Sequence, residues 1–348
     1  MPEPNERESQ SMSKQLHFCF HGAGGLGSVI GGFLARGGHK VTLIARKPHV
    51  EAIRQDGLQI SGVRAQFVQS DNLFAVETPE EVEGEIDYYI LLTKAKGTDQ
   101  ALADAQVLVD RTACALTLQN GVGKEDKLQA VFGKDKVIGG SIMDGATLLE
   151  PGKALNHMAV PVTAYFGELE GGESERTRIM AGALDKAGMG SRSTADIVHV
   201  HWEKVVQVGS ASSWSASTLG AIPQLDFVNG LAVREGAEHY VHVVKDLLAI
   251  YKALGYQPQN YFAPVSRLVE IDREGFEEAV AGVMAMGTRF KPENRPVRTS
   301  MHDDLVAGRR MEVDEVLGPL AAAAERLEVS APTFLSAYRV LKTLNSYL

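Results

Sequence analysis

Cysteine is nearly absent from this 348-residue chain: only Cys19 and Cys114 occur. Both lie inside apolar, strand-like runs, so there is no disulfide framework and a reducing, cytoplasmic setting is expected. Long hydrophobic runs are missing too. None approaches the ~20 residues of a membrane span, so no membrane partner is expected. Basic excess is lacking: the formal net charge is -9 at pH 7, which argues against the electropositive face a nucleic-acid binder needs. The N-terminal "MPEPNERESQSMSKQ" has no apolar core and is not a signal peptide. Residues 1–14 read as a disordered extension, and Met12 could be a rival start. No repeat at a solenoid period occurs. What remains is a chain with 44% hydrophobic residues, long enough to build two cored domains.

Glycine, by contrast, is concentrated in one place. "FHGAGGLGS" puts Gly22, Gly24, Gly25 and Gly27 within six residues, where each glycine costs folding entropy. Before it, "LHFCF" (16–20) reads as a buried strand. After it, Leu26, Val29, Ile30, Phe33 and Leu34 recur at helical spacing until Gly37-Gly38, and "VTLIA" (41–45) is a second strand. Strand, Gly22-x-Gly24-x-x-Gly27, helix, strand within about 30 residues is the context of the dinucleotide fingerprint. Gly22, Ala23, Gly24, Gly25, Leu26 and Gly27 are therefore expected to hold a pyrophosphate against free N–H groups at a helix N-terminus. The second strand ends "LIARKPH", with Arg46 and Lys47 and no carboxylate before Glu51. An arginine fork there suits a 2′-phosphate where an acidic residue would repel it, so NADP(H) is expected rather than NAD(H).

Strand and helix signals keep alternating up to about residue 195. Lys94 follows the strand Ile86–Leu92, Asn120 follows "ACALTL", "KVIGGSIMDGATL" and "AVPVTAYFGEL" add β-rich segments, and a helix is expected near Ser174–Lys186. This predicts a mostly parallel sheet with its ligand crevice at the strand C-termini, where Gly25, Arg46, Lys94 and Asn120 fall. Beyond about Ser193 the spacing predicts helices over 197–217, 231–254, 276–286, 314–327 and 332–347, punctuated by Pro223, Pro258, Pro264, Pro292 and Pro296, and no strand. The expectation is an α/β Rossmann-type domain over 15–195 and an all-α domain over 196–348, with substrate in the cleft between them. Apolar segments such as "LGPLAAAA" could bury one face in a homodimer.

Lys204, in "HVHWEKVV" on the first helix of the second domain, is the candidate acid. Desolvation and a nearby positive charge would bring a lysine toward neutrality. His199-x-His201 lies on a helix, where neighbours two apart point to different sides, and His239-x-x-His242 has helical spacing but no third ligand nearby, so no metal is expected. Met284, Met286 and the aromatics of "NYFAPV" read as core or interface rather than as a cofactor box.

Together these pieces resemble the ketopantoate reductase (2-dehydropantoate 2-reductase) family, within the 6-phosphogluconate-dehydrogenase-like two-domain enzymes, from about Gln15 to the C-terminus. The resemblance rests on "GAGGLG", Arg46, "TKAK" around Lys94, "QNGVG" around Asn120, "WEK" ending at Lys204, and "TSMHDDLVAGRRMEVDEVLG", where Ser300 and Glu312 stand twelve apart with Asp304 between. It implies that the glycine loop and Arg46 hold NADPH, with Lys94 and Asn120 at the nicotinamide-ribose and substrate side. Lys204 would protonate the ketone oxygen, Ser300 would bind the 2-oxo acid's carboxylate, and Glu312 would orient substrate hydroxyl and ribose near Lys204. The family's asparagines after the lysine, "N…NPLTA", are absent. Val208 stands at the first position, Ser212 or Ser213 at the second, and Trp214 reads as a bulky addition to the pocket. The implied reaction is NADPH-dependent reduction of ketopantoate to pantoate. The rivals are a paralogous reductase or dehydrogenase of another 2-oxo or β-hydroxy acid, and a non-catalytic NADP(H)-binding redox sensor.

Overall fold

The computed structural model describes residues 14–289 and 297–348. The expected extension over 1–14, with Met12, lies almost wholly outside these residues, as do Pro292 and Pro296. Through residue 193 the chain forms β1 (His17–His21), α1 (Gly25–Arg36), β2 (Lys40–Ile44), α2 (Lys47–Asp56), β3 (Leu58–Gly62), β4 (Phe67–Gln69), β5 (Leu73–Val76) and β6 (Ile86–Leu91). It continues with α3 (Thr98–Asp104), β7 (Thr112–Thr117), α4 (Glu125–Phe132), β8 (Gly139–Ile142), β9 (Gly145–Glu150), β10 (Lys153–Met158), β11 (Ala164–Gly167), α5 (Glu175–Leu184) and β12 (Ser191–Ser193). Then come α6 (Ile197–Leu219), α7 (Phe227–Leu231), α8 (Arg234–Ala253), α9 (Leu268–Arg273), α10 (Phe276–Arg289), α11 (Ser300–Val306), α12 (Val313–Val316), α13 (Gly318–Arg326) and α14 (Pro332–Asn345), with no strand among the described residues of this second domain.

The central sheet has the order β5-β2-β1-β6-β7, and every neighbouring pair is parallel. β1 is buried along its whole length, as expected of a strand covered on both faces by helices. Its phenylalanines Phe18 and Phe20 are fully buried with Ile30 and Leu34 of α1, at about 1.5–3 kcal/mol each. The strand exits of this sheet form the crevice expected of a doubly wound fold.

The remaining strands do not extend that sheet, contrary to the single mostly parallel sheet read from the sequence. β4-β3-β10-β9 form a second sheet and β12-β11-β8 a third. α1 is wedged between the first two: a Cβ on Gly31 would come 2.8 Å from Leu43 of β2, and one on Gly32 would come 3.1 Å from Ile60 of β3. Most of β9 falls in the β-rich segment "KVIGGSIMDGATL", but its partners β3, β4 and β10 are short and partly exposed, which blurs their apolar alternation.

In the helical domain, α6, α8 and α14 build a separate core that includes Trp214, Tyr251 and Phe334. The predicted helix over 314–327 is in fact two, α12 and α13, because Gly318-Pro319 restarts the helix with proline in its first turn. Among the described residues no helix is long and apolar enough to cross a membrane.

Candidate active site

At the exit of β1 the glycines divide the work. Gly22 has φ +96, and a Cβ there would lie 2.5 Å from the Thr93 nitrogen, so only glycine lets β1 turn beneath the β6 exit. Gly24 is exposed, and nothing comes within 4 Å of where its Cβ would stand, so this is where a ligand can reach the backbone. At Gly27 a Cβ would come 3.3 Å from the Gly22 carbonyl, so glycine sets α1 close to its strand. Gly25 serves the protein itself: a Cβ there would meet the backbone of Ala146 and Leu148 on β9 at 2.8 Å. Buried Ala23 donates its N–H to the Ile44 carbonyl, and Leu26 packs on the core. The first turn of α1 carries no acidic residue and no capping side chain, so its N–H groups and dipole are free to receive an anion.

Arg46 stands at the β2 exit, exposed, as the residue that precedes α2. None of the described residues hydrogen-bonds its guanidinium. The nearest downstream carboxylate in sequence, Glu51, lies 3.8 Å from Lys47 instead.

The two domains meet over the β6 and β7 exits. Lys94 donates to both oxygens of Asp304 on α11, at 3.0 and 2.8 Å, and Asp304 also accepts from Arg309. The Ala95 N–H donates to Glu312 Oε1 at 3.0 Å, so a carboxylate of the helical domain is seated on the Rossmann domain. Gln119 braces the neighbouring exit by donating to the Thr93 carbonyl and to Thr98. Half-buried Asn120 follows it, and at Gly121 a Cβ would come 2.8 Å from the Glu315 carbonyl.

Behind this seam, Ser212, Ser300, Asp304 and Glu312 line one small pocket, together with the apolar side chains of Val208, Met301 and Val316. The sequence left Ser212 and Ser213 as alternatives; Ser212 faces the pocket, whereas buried Ser213 donates to the Ser210 carbonyl within α6. Trp214 is not an addition to the pocket. Two residues beyond Ser212 it points to another side of α6, fully buried against Phe227 and Tyr240, with its Nε1–H donated to the Gly236 carbonyl.

Lys204 is 5% exposed, and none of the described residues hydrogen-bonds its ammonium. Burial pushes its pKa down, the Lys124 cation pushes it further, and Glu312 opposes both; it comes to about 7. Lys124 was missed by the sequence reading, since a lysine in a glycine-rich loop looks like a solvated charge. The histidines are engaged elsewhere: His201 donates to the Gly140 carbonyl, His199 bonds the Gln257 carbonyl, and His242 packs on Phe276. Met284 and Met286 pack against the helical core.

Residues 18–171 match the profile described as Ketopantoate reductase PanE/ApbA, and residues 196–345 match Ketopantoate reductase PanE/ApbA C terminal. The chain belongs to the ketopantoate reductase family. The 2-dehydropantoate 2-reductase of Pyrococcus horikoshii is 29% identical over 332 residues, 93% of this chain and 96% of that protein. That of Lactococcus lactis subsp. lactis is 26% identical over 91% of this chain and 94% of its own length. The crystal structure of 2-dehydropantoate 2-reductase from Methylococcus capsulatus superposes with a TM-score of 0.74 at 25% identity, covering 95% of this chain and 97% of that one. A ternary structure of D-mandelate dehydrogenase with NADH and anilino(oxo)acetate superposes at 0.73, but at 21% identity it shows the shared fold alone. The family is one of NAD(P)-dependent oxidoreductases, and the Rossmann-plus-helical architecture is its fold.

Proposed function

We propose that this protein uses NADPH to reduce a 2-oxo acid, with ketopantoate (2-dehydropantoate) as the first substrate to test. The observation that carries the reading is Lys204, a buried ammonium near neutral pKa, within the field of Glu312 and without a hydrogen-bond partner among the described residues. Such a group can hold a proton at pH 7 and release it to a developing alkoxide.

The residues fit a dinucleotide. Open space at Gly24 and the uncapped first turn of α1 suit a pyrophosphate, and the unengaged guanidinium of Arg46 suits a 2′-phosphate. When bound, NADPH supplies the hydride that reduces C2 of the oxo acid. Lys204 delivers a proton to the carbonyl oxygen as negative charge builds there. Ser300 and Asn120 hold the substrate carboxylate, and Glu312, fixed by the Ala95 N–H, steadies the Lys204 ammonium and the substrate hydroxyl. Much of the acceleration then comes from positioning.

A specific observation favours a second reading of the substrate. Val208, which stands where the resemblance expects the first asparagine, joins Met301 and Val316 in an apolar wall of the pocket. A site without that amide donor loses discrimination in favour of a distal hydroxyl, which suits a 2-oxo acid with an apolar side chain. A sensor without turnover would have no use for an unpartnered Lys204 beside Glu312.

A panel of 2-oxo acids assayed by NADPH oxidation tests the reading. Turnover with ketopantoate supports the first form and turnover only with apolar 2-oxo acids the second. Tight NADPH binding with no turnover on any acid overturns both.

A further inference from the structure

Lys124 lies just after the "QNGVG" turn, at the start of α4, with a side chain only 7% exposed. A buried ammonium is uncommon and is usually paired with a carboxylate. Here two of its hydrogens go to neutral acceptors, the carbonyls of Gln119 and Gly140, each at 2.8 Å. The nearest carboxylate, Glu125, is 3.8 Å away, and its Oε1 is buried without a hydrogen-bond partner among the described residues. Burial pushes the Glu125 pKa up, which weakens it further as a counter-charge.

The position is what matters. The Gly140 carbonyl that takes Lys124 also accepts the His201 Nε2–H at 3.0 Å. His201 and Lys204 are three residues apart on α6 and so share one face of the helix. Lys124 is thus held from the Rossmann domain, through a carbonyl of β8, onto the helix face that carries Lys204.

We propose that Lys124 is a positioning residue for proton delivery, a second ammonium held from the Rossmann domain onto the α6 face that carries Lys204. This rests on the reading of Lys204 as proton donor. The charged groups around Lys204 act as follows. Lys124 pushes its proton off and Glu312 holds it on. Burial lowers the pKa of Lys124 itself, and Glu125, whose Oε1 lies 3.8 Å from Lys124 and 3.7 Å from His201, opposes that. His201 is kept neutral, its pKa driven far down by burial and then by the two ammonium groups. Asp304 of α11 is already committed to Lys94 and Arg309. Lys124 also ties the loop carrying Asn120 to β8, so the group that tunes the acid sits on the loop that would touch substrate.

The test reads the proton directly and needs no substrate. Protein labelled with ¹³C at lysine Cε is titrated by NMR, and the Lys204 signal is the one lost in Lys204→Ala. In Lys124→Met, which keeps the side chain's bulk, the Lys204 midpoint is expected to rise by about one pH unit or more. In Lys124→Arg, which keeps the charge, it should stay within a few tenths of the wild-type value. Should Lys124→Met not fold, Lys124→Gln removes the charge and keeps an amide donor for the two carbonyls, and the same rise is expected. An unchanged midpoint in the uncharged variants, or an equal rise in Lys124→Arg, overturns the proposal. If no 2-oxo acid is turned over while the titration behaves as described, the assignment of the reaction has failed and the coupling of the two lysines stands.

Discussion

Lys94 of the β6 exit and Asp304 of α11 are joined by two contacts of 3.0 and 2.8 Å, from a lysine side chain that is 59% exposed to a carboxylate that is 5% exposed. This pair crosses the domain seam beside the pocket that Ser300 and Glu312 line. An ion pair open to water at one end adds little stability, so its expected effect is on the pocket it borders.

Asp304→Asn is accordingly expected to shift the melting temperature only slightly while raising KM for the oxo acid severalfold. Steady-state kinetics beside a thermal melt checks this. A large loss of stability with unchanged KM would assign Asp304 to folding instead.

Arg46→Ala should weaken NADPH binding by roughly 10- to 100-fold, the worth of a charge-assisted contact to a phosphate, and leave NADH nearly untouched. Fluorescence titration with the two dinucleotides decides it. Equal losses would remove the 2′-phosphate from Arg46.

Val208→Asn restores an amide to the apolar wall of the pocket. Discrimination toward ketopantoate over an oxo acid with an apolar side chain is expected to rise by about tenfold or more. A ratio of kcat/KM values that does not move would mean that position 208 does not contact the distal end of the substrate.

The proton on Lys204 also leaves a mark on stability. Its folded pKa is depressed to about 7 from an ordinary 10.5, so between those values the unfolded chain binds more protons and this group's contribution to stability rises with pH. Below pH 7 both states carry the proton and the full cost of burying the charge is felt. Lys204→Met should therefore be more stable than the wild type below pH 7, with the gain fading toward pH 10.5. Denaturant midpoints measured across that range test it; a gain that does not vary with pH would place the lysine's charge in water.

How legible all this was in the sequence depended on how local the signal is. The glycine loop could be read because its flanks are a continuous apolar strand and a regular helix, and the separate tasks of Gly22, Gly24 and Gly27 follow from that one turn. Lys204, Ser300 and Glu312 stand far apart in the chain, and only the resemblance to a family joined them. The second sheet was lost because β3, β4 and β10 are short and partly exposed, and α1, covered from both sides, reads as an ordinary apolar helix. Trp214 lies two residues beyond Ser212 and so faces another side of α6, against Phe227 and Tyr240, which its place beside the serines in sequence does not show. Lys124 left no local trace. Its burial arises only when β8 and α6 close over the loop, and nothing in "GVGKED" announces that.

The most direct trial is the Lys204→Ala variant, assayed for turnover with the best 2-oxo acid and, in parallel, for NADPH affinity. A fall in kcat of roughly 10²–10⁴ with NADPH affinity unchanged is the predicted result for a lost proton donor. Turnover within a few-fold of the wild type would contradict it and leave only the dinucleotide site standing.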